Sequence, residues 1–135
     1  PMGGPMIDLR VHAAFLHYAA QGTEWDSSGA ETGVRARAAG PFDTRWDAWA
    51  TYTALRYEHP TTFGDASAAL GTLVFSPRDR RDDRVELATG VERPLGRGVR
   101  LAARWRFERR FSSADVFDYR RHVVGLFVVW RGGLD

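Results

Sequence analysis

The chain has no cysteine, no lysine and no asparagine, and its only isoleucine is Ile7. Without cysteine, disulfide scaffolds, thiolate metal sites and cysteine nucleophiles are excluded. The absence of free thiols fits an oxidising compartment. Long apolar runs are also missing. The longest uncharged apolar stretch, Val123 to Trp130, has strand length, far short of the roughly 20 residues that a membrane-spanning helix needs. No basic segment followed by an apolar one stands at the N-terminus, so no signal peptide is visible. Residues 1–6 read as a disordered tail or the cut end of a longer chain. The excess of charge is small as well: a formal net charge of +2, with all 19 basic residues arginine. Those charges are interspersed, which argues against a nucleic-acid partner.

What is present is one domain of 135 residues, 44% hydrophobic and 27% charged, a balance that suits neither disorder nor a helical membrane protein. Turn-like clusters recur at Gly22–Gly29, Gly40–Thr44, Glu58–Asp65, Pro77–Asp83, Pro94–Gly98 and Phe111–Asp118. Between them lie segments with period-2 alternation, the pattern of an antiparallel meander. Val99 to Arg110 is the clearest: Val99, Leu101, Ala103, Trp105 and Phe107 alternate with Arg100, Ala102, Arg104, Arg106 and Glu108. Arg84–Glu92 and Glu31–Ala39 follow the same rule, while Ile7–Ala20, Trp46–Tyr57 and Ala66–Ser76 are weaker. Ala13–Ala20 and Ala66–Leu73 could also be helical. The expected fold is therefore all-β: an up-and-down meander of about seven to eight strands, forming a small β-barrel or the C-terminal part of a larger one.

Alternation defines two faces without saying which one meets water. A soluble barrel turns the apolar face inward, and a transmembrane barrel turns it outward. Small residues on the apolar face (Ala36, Ala38, Ala48, Ala50 and Ala103) would pack a soluble core poorly. Aromatic residues gather towards segment ends, as in interfacial girdles. The segments also suit the roughly 9 to 11 residues of a tilted spanning strand.

Residues Asp118-Tyr119-Arg120-Arg121-His122-Val123-Val124-Gly125-Leu126-Phe127-Val128-Val129-Trp130-Arg131 resemble the closing strand of Gram-negative outer-membrane β-barrel proteins. In that family the strand ends in a terminal Phe; here that position is Gly132, and the chain continues to Asp135. The resemblance implies an outer-membrane, porin-like barrel serving as a structural anchor, a small pore or an envelope-complex component. Its lipid-facing residues would be Val99, Leu101, Ala103, Trp105, Val124, Leu126, Val128 and Trp130. Its charged lumen would hold Arg35, Arg37, Glu86, Glu92, Arg100, Arg104, Arg106 and Glu108, with Arg121, Gly125 and Arg131 on the same side. The implied partners are membrane lipids or detergent, and a homo-oligomer or larger envelope complex. The competing expectation is a soluble, lipocalin-like barrel, periplasmic or cytoplasmic, binding a small apolar ligand.

No cofactor, metal site or catalytic residue is expected. His12 and His17 stand an odd number of residues apart and so point to opposite faces of a strand. His59 and His122 complete no ligand set with them. Ser112, Ser113, Asp115 and His122 have the residue types of a lipid-modifying envelope hydrolase, but no motif fixes a nucleophile against its base. Gly64-Asp65-Ala66-Ser67 and Gly96-Arg97-Gly98 lack the following helix of a phosphate loop. Trp46 and Trp49 are separated by their odd spacing.

Overall fold

The structure, a computed structural model, describes residues 7–19, 25–60 and 79–130. Among these, six strands form one antiparallel sheet in sequence order: β1 (Ile7–Tyr18), β2 (Ser27–Ala39), β3 (Arg45–Tyr57), β4 (Arg81–Gly96), β5 (Val99–Ser112) and β6 (Tyr119–Trp130). The up-and-down meander is as the alternation predicts. Among the described residues the strand count is six rather than seven to eight, and their sheet is not closed, with β1 and β6 as its two edges. The seventh expected strand, Ala66–Ser76, lies outside the described residues, as do the alternative helix at Ala66–Leu73 and Arg131. Ala13–Tyr18 is extended and belongs to β1, so the helical alternative fails there. Two strands begin earlier than their composition suggests. Ser27-Ser28-Gly29 looks like a turn but pairs with Leu55–Tyr57, and Arg81–Asp83 pairs with Ala54–Arg56 on one side.

Both short connections are tight hairpins. In Pro41–Thr44, Phe42 and Asp43 have φ of 57° and 58°, and the Thr44 amide donates to the Pro41 carbonyl at 3.2 Å. At Gly96–Val99 the central residues Arg97 and Gly98 have φ of 49° and 75°. Two successive left-handed residues make a type I′ turn, whose twist matches that of the flanking strands. The opposite end of the sheet carries the longer connections, among them residues 113–118 with a single 3₁₀ turn at Asp115–Phe117. The first residue of β1 and the last of β6 lie at the tight-turn end.

The register runs without a slip apart from an irregularity between Pro94 and Gly96, so each alternating set stays on one face across all six strands. Burial falls on the polar face. The buried positions Ser27, Thr53, Asp82, Ala102 and Glu108 share one face, and Ala102 is the only buried hydrophobic residue among those described. The apolar face is open: Phe15 and Leu126 are each 78% exposed. The sheet curls around its polar side, where residues from β1 to β5 line one cleft of about 760 Å³.

Candidate functional site: the charged face

Cross-strand pairing places Arg35, Arg37, Glu86, Glu92, Arg100, Arg104, Arg106 and Glu108 together on the curled-in face. It places Val99, Leu101, Ala103, Trp105, Val124, Leu126, Val128 and Trp130 together on the other. Both groupings match the phases read from sequence. Arg121 and Gly125 join the charged face through their partners Glu108 and Arg104.

On that face the charges are joined by ion pairs that cross from strand to strand. Asp47 on β3 accepts from Arg35 at 2.8 Å and from Arg37 at 3.1 Å, both on β2. Glu92 on β4 pairs with Arg100 on β5 at 2.8 Å, and Glu86 on β4 with Arg106 on β5 at 2.6 Å. Glu108, 3% exposed, accepts from the Tyr119 hydroxyl at 2.5 Å and from Arg121 at 2.6 Å, tying β5 to the edge strand β6. Near the other edge, Glu31 lies 3.3 Å from the His12 Nε2 and accepts from the Thr53 hydroxyl at 3.1 Å.

A second cluster caps the long-loop end. Arg80 donates to both oxygens of Asp82. Asp82 also accepts from the Tyr57 and Ser112 hydroxyls and pairs with Arg110 at 2.9 Å. The Arg80 guanidinium lies over the rings of Phe117 at 3.5 Å and Tyr57 at 4.1 Å, with Trp25 at 5.6 Å. Such stacking suits the planar, weakly hydrated guanidinium. The cluster gathers side chains from β3, β4, β5 and three connections. Sequence reading missed it, because Arg80 stands just before β4 in a segment with turn-like composition.

The other chemical candidates separate. The Ser112 hydroxyl is bonded to Asp82 on the charged face, whereas His122 pairs with Phe107 on the apolar face and its ring lies 4.8 Å from that of Phe107. The structure therefore does not bring Ser112 and His122 together. His12 and His17 fall on opposite faces, as do Trp46 and Trp49. Among the described residues no three metal-ligating side chains cluster, and no helix is long and apolar enough to cross a membrane.

Sequence reading also missed Asp47 and Arg45. Their signal was present in the phase of the Trp46–Tyr57 segment, where Arg45, Asp47, Trp49, Thr51 and Thr53 alternate against Trp46, Ala48 and Ala50. No family model matches the chain, and no curated protein or solved structure matches it.

Proposed function

We propose that this chain is an outer-membrane β-barrel protein of the Gram-negative type. Its apolar face lies against lipid, and its paired Arg and Glu residues fill the interior of a barrel wall that these six strands form at least in part. Its role is that of a structural anchor, small pore or component of an envelope complex. The resemblance of Asp118–Arg131 to a closing strand supports the assignment.

The observation that carries this reading is where charge stops on the apolar face. Along that side of β4, Asp83 and Arg93 bracket Val85, Leu87, Thr89 and Val91. On β5 and β6, the neighbouring charges Arg109 and Arg120 stand opposite each other towards the long-loop end. Between these limits the face carries no Asp, Glu or Arg on any strand. At about 3.3 Å per residue, the step from Asp83 to Arg93 covers roughly 33 Å of strand. A tilt of about 40° reduces that to a height of roughly 25 Å, the height of the apolar band of outer-membrane barrels. An apolar surface of this extent is unstable in water unless something covers it. Tight turns at one end and longer connections at the other follow the same family pattern.

The interior side favours a filled barrel over a wide channel. Arginine and glutamate side chains, most of them paired across strands, narrow the space that a conducting lumen would need.

Detergent dependence tests the proposal. The purified chain is expected to stay monodisperse only in detergent or lipid, with Trp130 shielded there from an aqueous quencher. A chain that remains monodisperse in plain buffer would overturn it. Planar-bilayer recordings then separate pore from plug, and absence of conductance supports the plug.

A further inference from the structure

We infer that the cleft on the charged face is a binding site for a small oxyanion carrying an aromatic body, held by Arg104 and Arg45 against Trp49. This goes beyond the membrane assignment and does not depend on it, since the cleft lies on the opposite face from the apolar belt.

Charge makes the first part of the case. Counting the side chains that line the cleft together with their direct ion-pair partners, seven guanidiniums (Arg10, Arg35, Arg37, Arg45, Arg100, Arg104 and Arg106) meet five carboxylates (Asp8, Asp47, Glu86, Glu92 and Glu108). Asp47 is shared by two arginines, and Glu92, although opposite Arg45 in register, is engaged by Arg100. Arg104 and Arg45 have no carboxylate within ion-pair distance among the described residues. A surplus of two positive charges along one recess favours an anion.

The surroundings of Arg104 make the second part. Its cross-strand neighbours on both sides are glycines, Gly90 and Gly125. A Cβ at Gly90 would stand 3.4 Å from the Arg104 Cγ, so side chains there would crowd the arginine. Its guanidinium lies 5.3 Å from the Phe127 ring centroid. Of the two cleft arginines without a carboxylate, Arg104 is thus also the one with glycine opposite it on both neighbouring strands.

The floor makes the third. Ala39, Ala88 and Ala102 line the cleft beside Trp49, leaving an apolar recess large enough for an aromatic ring. An oxyanion with an aromatic body matches all three features: forked donors for its oxygens, small residues for its ring and an indole for a flat contact.

Calorimetric titration of the full chain with phenyl phosphate tests this, using octyl glucoside so that no headgroup phosphate competes. If the chain proves soluble without detergent, the same titration runs in plain buffer, so the membrane assignment can fail without affecting this test. Phenyl phosphate is expected to bind more tightly than inorganic phosphate, and phenol not to bind measurably. Arg104→Gln and Arg45→Gln should each weaken phenyl phosphate roughly tenfold or more, the scale of one lost charge-assisted hydrogen bond. Arg120→Gln, on the other face of the sheet and outside the cleft, should leave it unchanged, with far-UV circular dichroism verifying that each variant folds. No binding of phenyl phosphate, equal binding of phenol, or undiminished binding by both folded cleft variants would each overturn the proposal.

Discussion

Arg80 and Asp82, two residues apart where the chain enters β4, form a bidentate ion pair whose side chains are 2% and 1% exposed. An ion pair this well sealed gains from its mutual attraction only while both partners stay, because each charge has given up its hydration. Asp82→Asn leaves the Arg80 and Arg110 guanidiniums facing a neutral amide. The expected loss is about 3–5 kcal/mol, read from urea unfolding by tryptophan fluorescence. Arg80→Met should cost less, since Asp82 keeps Arg110 and two hydroxyl donors.

Glu108 and Tyr119 give a measurable link between the sheet and its edge. β6 is exposed along almost its whole length, and the buried Glu108 carboxylate holds it through two side chains. Glu108→Gln and Tyr119→Phe should each destabilise. Their double-mutant cycle should return a coupling of about 1–3 kcal/mol. Additive losses would show that backbone pairing alone retains β6.

Two glycines should respond differently to alanine. At Gly29 an added Cβ would come within 1.9 Å of the Ala54 carbonyl oxygen, a backbone atom on the neighbouring strand. At Gly125 the nearest atom is the far edge of the Phe127 ring, at 2.6 Å. A ring rotates and a ladder carbonyl does not. Gly29→Ala should therefore lose roughly 3 kcal/mol or more, as overpacking against a rigid wall does. Gly125→Ala should stay within about 1 kcal/mol of the parent. Midpoints of denaturant unfolding compare the two.

The apolar face yields a prediction tied to its surroundings. Leu126 sits well inside the uncharged belt. In lipid vesicles, Leu126→Arg should cost roughly 2–4 kcal/mol. On a face exposed to water the same change would fall within about 0.5 kcal/mol, so unfolding from vesicles separates the two environments.

Much of this was readable in the chain beforehand, because a strand writes its two faces into odd and even positions. Val99 to Arg110 separates into an apolar and a charged set with no knowledge of its neighbours, and the folded sheet keeps that separation. Alternation along one strand does not say which residue of the next strand stands opposite. Ser112 and His122 could therefore not be placed on different faces from sequence. Nor could Ser27-Ser28-Gly29 be recognised as strand, since Gly29 is extended because it lies against Ala54, a tertiary cause. The Arg80 cluster was invisible for a related reason. Its aromatic partners come from two connections and a distant strand, and no local period links them. Curvature was equally hidden, since which face turns inward depends on how all six strands pack together.

The register, regular everywhere but at Pro94–Gly96, has a last consequence, which is one of parity. Removing a single residue from the middle of β3, Ala50 for instance, would reverse the phase of everything after it. Arg56 would then turn to the charged side and Thr53 to the apolar one, against neighbours in β2 and β4 that had not changed. Removing two adjacent residues would shorten the strand and leave every remaining side chain facing as before. Changes in length can therefore enter the regularly paired interior of a strand only in even steps, while a single extra residue is tolerated at a strand end, as at Pro94–Gly96, and in the connections at the long-loop end.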